Sequence, residues 1–283
     1  MQRIRKMKEF EIKDRYDMED YRALIHLLRA PGGCPWDRDQ THESIRRNVL
    51  EEAYETAHAI DSGDRENLRE ELGDLMMQVL LHADMEEELG NFNLDDVADT
   101  ACKKLVFRHP HVFGSVQAED SEAVLRTWDE QKKAEKGQRT VTETMVSVAE
   151  NLPALWRAEK IQNKAAKAGL SWPDVSYAMM KLREETEELE QGIAAEDADN
   201  MEEELGDVLF CAVNAARMLG VDPERALHRS CEKMIRRFGY LEAEAAKQGK
   251  TPEEFSLREL EKLYQDARSA LEGKEKQFFL DKT

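Results

Sequence analysis

One repeat constrains this chain more than any other feature. Glu51, Glu52 and Glu55 are followed by Glu71 and Asp74, and Glu184, Glu185 and Glu188 are followed by Glu204 and Asp207. Each copy reads Glu-Glu-x-x-Glu, a gap, then Glu-Leu-Gly-Asp. Glu52 to Glu71 is 19 positions, as is Glu185 to Glu204, and every matched acid is displaced by 133 positions. Residues three apart on a helix lie side by side, with Cβ atoms roughly 5–6 Å apart. Each copy therefore predicts two helices that aim four carboxylates at one place if they pack antiparallel.

The rest of the pattern is helical too. Met18, Tyr21, Leu24, Ile25 and Leu28 recur at helical spacing and stop at Pro31, Gly32, Gly33 and Pro35, which predict a tight loop. Thr41 is the expected N-cap of the next helix, with Ile45, Val49, Ala53 and Ile60 on its apolar side, and Ser62-Gly63-Asp64 breaks it. Its partner is expected to bury Leu68, Leu72, Leu75, Met76 and Val79, with Gly90 capping its end and Asn93 the next start. A helix through Val97, Ala101 and Leu105 then runs to an exit loop over residues 109–114.

The second half repeats the scheme. Leu155, Ala158, Ile161 and Ala165 predict a helix ended by Gly169. Ala178, Leu182 and Leu189 predict the next, ended by Gly192, and Leu205, Val208, Leu209 and Val213 its partner. Gly220 and Pro223 precede a further helix, and Thr251-Pro252 with the capping box Ser256 to Glu259 starts the last. No alternating β-branched run appears. The expected fold is all-α, with two homologous helical halves that complete four-helix cores by pairing, half to half or between two chains. The expected divisions are a loose arm at 1–16, a first domain at 17–115, a connector at 116–150 and a second domain at 151–283. Within the connector, Ser121 starts a short helix holding Leu125 and Trp128, the stretch 135–144 is an exposed polar link, and the boundary falls near 145.

Charge narrows the function classes. The net charge is -19, which argues against binding a phosphate backbone; no nucleic-acid partner is expected. It leaves nucleotides open, because bound cations reverse a local sign. No apolar run is long enough to cross a bilayer. Arg3, Arg5, Lys6 and Lys8 precede no apolar core and do not read as a signal peptide, so the cytoplasm is the expected location. Cys34, Cys102, Cys211 and Cys231 form no Cys-x-x-Cys pair and are expected to be reduced and mostly packed. Neither a P-loop nor a Gly-x-Gly-x-x-Gly turn is present, and no Cys/His spacing suggests zinc. His109 and His111 flank Pro110 and read as loop packing, and His58 as packing near the first acidic group.

Carboxylate oxygens suit a hard cation such as Mg²⁺, with Mn²⁺ as a substitute. In a chain with 60 acidic residues, a solvated acidic face would give one Glu-Glu-x-x-Glu by itself. The recurrence and the shared Leu-Gly favour a site. Gly73 and Gly206 cost a helix interior roughly 1 kcal/mol relative to Ala, which suggests close helix approach. Lys104 and Arg108, and likewise Lys233 and Arg237, lie one turn apart, one helix after the acids, with Cys102 and Cys231 at the same offset before them. Such pairs clamp a polyphosphate; ion pairing with the acids is the plainer alternative.

These motifs together resemble the MazG family of nucleoside triphosphate pyrophosphohydrolases. The first half matches in Gly33-Cys34-Pro35-Trp36-Asp37 with Gln40-Thr41, in Leu50-Glu51-Glu52-Ala53-Tyr54-Glu55, in Glu71-Leu72-Gly73-Asp74-Leu75 and in Arg108-His109-Pro110-His111-Val112-Phe113. The second matches in Leu152-Pro153-Ala154-Leu155, Lys160-Ile161-Gln162, Glu184-Glu185 with Glu188, Glu204-Leu205-Gly206-Asp207-Val208, and Lys233 with Arg237. The resemblance implies an all-α, Mg²⁺-dependent, dimeric enzyme that converts nucleoside triphosphates to monophosphate and pyrophosphate in nucleotide house-cleaning. It implies that Glu185, Glu188, Glu204 and Asp207, and Glu52, Glu55, Glu71 and Asp74, hold metal. It implies that Lys233, Arg237, Lys104 and Arg108 hold phosphate, with Lys181 assisting. Tyr264 stands where the family often has a tryptophan near the nucleotide.

Glu184 and Glu51, the spare acids, are the candidates to orient the attacking water, and a surface glutamate is the equal alternative. Lys181 favours the second half as the main catalytic site. Two rivals stand beside the enzyme: a regulator that binds nucleotide without turnover, and an acidic helical scaffold.

Overall fold

The computed structural model describes residues 10–114 and 120–280, without the side chains of 121–123, 125–126 and 272–280. Residues 1–9 of the expected arm, 116–119 of the expected connector and the Leu125 side chain lie outside what is described. Every regular element among the described residues is helical, and no helix among them is long and apolar enough to cross a membrane. The chain forms two compact units, one up to Trp128 and one over Asp129–Leu280.

The first unit holds α1 (Met18–Arg29), α2 (Pro35–Arg38), α3 (Arg46–Ser62), α4 (Arg65–Leu89), α5 (Leu94–Arg108), α6 (Pro110–Phe113) and the start of α7 (Ser121–Glu135). Asp17 caps α1 with a full capping box through Asp20. The loop after α1 is tight because the backbone doubles back. A Cβ on Gly33 would stand 2.3 Å from the Leu27 carbonyl oxygen. The expected loop at Pro35 is a one-turn helix, since Pro at a first helical position carries no donor to lose. Thr41 caps only a turn, with its hydroxyl accepting from the Ser44 amide at 3.2 Å, and α3 starts later, at Arg46. Gly63, left-handed at φ 69°, ends α3, and Asp64 caps α4 at once, so the two helices fold back on each other. The expected exit loop contains the one-turn helix α6. Ile25, Ile45, Leu80, Leu81 and Met85 make the core.

The second unit holds the rest of α7, then α8 (Val141–Val146), α9 (Ala154–Lys167), α10 (Val175–Ala195), α11 (Ala198–Met218), α12 (Pro223–Lys247), a 3-10 turn at Pro252–Glu254 and α13 (Leu257–Leu280). The expected helix from Ser121 is fifteen residues long rather than short. The polar link is also interrupted, because Thr140 and Glu143 form a capping box that starts α8. Gly192 does not end α10. It is buried inside it, where a Cβ would meet the Asn200 side chain at 2.4 Å, and Glu196 closes the helix in the left-handed conformation at φ 55°.

Burial departs from expectation on one face of each hairpin. Leu72, Met76 and Val79 were read as core, as were Leu205 and Leu209, yet all are well exposed; Leu72 is 48% and Leu209 51% exposed. Ala53 and Ile60 are exposed as well. Periodicity marks these as apolar stripes, but their own unit does not cover them. The close helix approach expected at Gly73 and Gly206 is also absent, since a Cβ at either would meet nothing within 4 Å. Among the thiols, Cys211 is buried and Cys34 half-buried, while Cys102 and Cys231 are exposed on the open sides of α5 and α12.

Candidate metal and polyphosphate site

The two helical hairpins build the same group of acids. One carboxylate oxygen each from Glu52, Glu55 and Glu71 lies within 4.8 Å of the others, and Glu185, Glu188 and Glu204 repeat the arrangement with the same pattern of burial. The first two members of each trio come from one helix at a spacing of three, and the third comes from the partner helix beyond the turn. Asp74 and Asp207 stand outside these trios, but their charges reach them.

The electrostatics follow from packing like charges. Burial lifts Glu52 above the usual carboxylate range, and Asp74, Glu55 and Glu71 add to the lift. Glu185 is raised by burial and then by Glu188, Asp207 and Glu204. Glu71 is raised in the same way by desolvation, Glu55 and Asp74. Such a cluster gains from a cation. Its donors are all hard oxygens, which fits Mg²⁺ or Mn²⁺. Burial and Asp74 also raise the Tyr21 phenol, which donates to the Gly73 carbonyl at 3.1 Å.

The spare acids are not members of the trios, though the charge of Glu51 reaches Glu52 and that of Glu184 reaches Glu185. Glu51 pairs with Arg47 at 2.7 Å, and Glu184 with Lys181 at 2.7 Å, each one turn along its own helix. Lys181 is accordingly raised, first by its hydrogen bond to Glu184. The basic pairs divide by exposure. Lys104 is exposed and Lys233 half-buried, whereas Arg108 and Arg237 are only 8% and 9% exposed. Arg108 and Arg237 each lie against an aromatic ring, of Trp128 and Tyr264 respectively.

Two neighbours of the second trio escaped the sequence reading. The Asn200 amide donates to Glu204 at 3.0 Å. The Cys211 thiol lies 3.9 Å from Glu185 and is pushed up to about 11, by burial first and then by Glu185 and Asp207. The repeat offered a signal for the first: Asn67 stands four before Glu71, as Asn200 stands four before Glu204. Asn67 makes no matching bond to Glu71 among the described residues. Gln78, buried, occupies the position matching Cys211.

Known proteins are similar to this chain over most of its length. The MazG nucleotide pyrophosphohydrolase domain matches residues 40–113 and 175–240, one stretch in each unit. The chain is 38% identical over 250 residues to the nucleoside triphosphate pyrophosphohydrolase/pyrophosphatase MazG of Thermotoga maritima, covering 88% of this chain and 95% of that protein. It is 39% identical over 249 residues to the nucleoside triphosphate pyrophosphohydrolase of Escherichia coli K12, covering 87% and 95%. It is also 42% identical over 254 residues to the uncharacterised YabN of Bacillus subtilis, covering 89% of this chain and 52% of that protein. On this similarity and on its duplicated acidic hairpins, the chain belongs to the MazG family of nucleotide pyrophosphohydrolases.

Proposed function

We propose that this protein hydrolyses nucleoside triphosphates to the monophosphate and pyrophosphate with Mg²⁺ (Mn²⁺ as a substitute), cleaning the cytoplasmic nucleotide pool as a homodimer. One observation carries the reading: trios of glutamate oxygens within 4.8 Å of one another, built twice from matching helical hairpins. The names of the relatives support the reaction. The exposed apolar stripes around Leu72 and Leu209 support pairing with a second copy, because single-unit packing leaves them in water.

Glu185, Glu188 and Glu204 with Asp207 would hold the cation in the second half, and Glu52, Glu55 and Glu71 with Asp74 in the first. When bound, the cation neutralises phosphate oxygens and lowers the pKa of water. The protein's own groups do the rest. Lys233 and Arg237, and Lys104 and Arg108, hold phosphate oxygens by charge-assisted hydrogen bonds. Asn200 fixes the Glu204 carboxylate, and Lys181 fixes Glu184 at the rim of the trio. Glu184 orients the water for in-line attack on phosphorus, and pyrophosphate leaves; Glu51 is its counterpart. The contacts of Asn200 with Glu204 and of Lys181 with Glu184 support the second half as the main catalytic site. The first half is the candidate for a second role, as a site that binds nucleotide and regulates without turnover.

Pyrophosphate release over a panel of nucleoside triphosphates tests this. Release that requires Mg²⁺ or Mn²⁺ is expected. No release with either metal sinks the hydrolase reading, and nucleotide binding without release would favour the regulator.

A further inference from the structure

In both units the arginine of the Lys/Arg pair is held against an aromatic ring. The Arg108 Cζ lies 5.3 Å from the centre of the Trp128 ring, and the Arg237 Cζ 5.5 Å from that of Tyr264. Both distances fall within the roughly 6 Å reach of a cation–π contact. The repeat offset does not explain the match. Arg108 and Arg237 are 129 positions apart, whereas Trp128 and Tyr264 are 136 apart and of different type. The first ring arrives on α7, and the second on α13, which packs along α12. The first ring is braced again by His109, whose ring meets it edge-on at 4.9 Å and 72°. The His109 Nδ1 is tied to the Leu105 carbonyl at 2.6 Å.

A ring against the guanidinium restrains a long, rotamer-rich side chain without using its N–H donors. Binding then loses less side-chain freedom when the fork meets a phosphate. We propose that Trp128 and Tyr264 are positioning residues that aim Arg108 and Arg237 at the substrate's polyphosphate. The proposal rests on the reading that these arginines bind phosphate. A phosphate grip held alike before and during reaction acts on affinity and leaves the chemical step alone. Trp128 thereby belongs to the first nucleotide site, although the sequence placed it in a connector.

The test uses the full chain with Trp128→Leu, Tyr264→Leu, Trp128→Phe, Tyr264→Phe and Tyr264→Trp. Two quantities are read with Mg²⁺: KM and kcat for pyrophosphate release, and the Kd of a non-hydrolysable nucleoside triphosphate analogue for each unit. Each Leu variant is expected to raise the Kd of its own unit about five- to ten-fold. Tyr264→Leu should raise KM likewise, with kcat within about two-fold, and each Phe variant should restore near-wild-type affinity. If a Leu variant fails to fold, Tyr264→Trp decides, because the stronger cation–π ring should tighten binding at the second site. Unchanged affinity in the Leu variants, equal loss in Leu and Phe variants, a fall in kcat alone, or no tightening in Tyr264→Trp overturns the proposal. A wild type that binds the analogue without releasing pyrophosphate sinks the hydrolase reading and leaves the Kd values to judge the rings. A wild type that binds no analogue sinks both.

Discussion

In both units the far half of the second hairpin helix packs on apolar residues, but in the first α4 also carries a network of charged side chains that the matching stretch of α11 lacks. Asp84 lies 2.8 Å from the His26 Nδ1 and 3.4 Å from the Arg29 Nε. Arg29 also reaches Glu88 at 2.9 Å and donates to the Asp37 carbonyl at 2.6 Å. Beside it runs a chain of three groups. His42 meets Glu86 through Nε2 at 2.7 Å and His82 through Nδ1 at 2.6 Å, with ring planes 5° apart. At the positions 133 further on, Ala215, Arg217 and Leu219 replace His82, Asp84 and Glu86. Cys211, Val213, Asn214 and Ala215 are buried there instead.

The acids match one for one, while the residues that brace them do not. Packing therefore does not dictate the acidic pattern; two differently built supports carry the same trio. The difference also makes the units separable by experiment.

The largest effect should come from Arg29, whose side chain is buried with four acidic or carbonyl partners, Asp84, Glu88 and the carbonyls of Asp37 and Gln40. Arg29→Ala leaves Asp84 buried without its guanidinium and should cost the first unit about 3–5 kcal/mol. Denaturant-dependent hydrogen exchange, read unit by unit, measures this. A loss below about 1 kcal/mol, or one spread equally over both units, would break the contrast.

A middle-sized effect concerns the asparagines. A group that orients a metal ligand typically contributes ten-fold or more in affinity. Asn200→Ala should weaken Mn²⁺ binding at the second trio by about ten-fold, and Asn67→Ala should leave the first nearly unchanged. Titration followed by Mn²⁺ electron paramagnetic resonance reads both. Equal losses would show that the two sites are braced alike.

The smallest effect is a pH dependence confined to the first unit. Burial, and then His42, hold the His82 imidazole below its ordinary 6.5. Its unfolded form binds the extra proton first, so stability is present above pH 6.5 and is lost as pH falls through that value and below it. Glu52 and Glu71 are raised in the first unit and Glu185 in the second, which opposes the His82 effect as pH falls, so the His82→Gln variant is needed to isolate the imidazole's share. Between pH 7.5 and 5.5 the protection of the first unit, with the intrinsic pH dependence of exchange divided out, should fall relative to that of the second. His82→Gln should remove the difference, and a dependence that survives it assigns the effect elsewhere.

Much of this was legible in the sequence, and the failures have physical causes. The hairpins, the caps at Gly63, Gly90 and Asn93 and the grouping of the acids are local consequences of spacing and turn chemistry. The burial of Leu72 and Leu209 was misread because periodicity reports that a stripe is apolar without saying which surface covers it. Gly192 was misread because a helix-ending glycine and one that admits a crossing side chain look alike before Asn200 is seen against it. The His42–His82 contact and the ring over Arg108 join residues 40 and 20 positions apart, and no local pattern marks such tertiary pairings.

Matching acid trios are expected to serve unequal ends, with turnover in the second unit. Pyrophosphate release with Mg²⁺ by full-length Glu55→Ala, Glu188→Ala and the double variant tests it most directly. Glu188→Ala should lose at least about 100-fold in kcat, as expected for groups that hold a catalytic cation, while Glu55→Ala keeps most of the rate and the double variant matches Glu188→Ala. Loss of turnover in Glu55→Ala with Glu188→Ala still active would contradict the account.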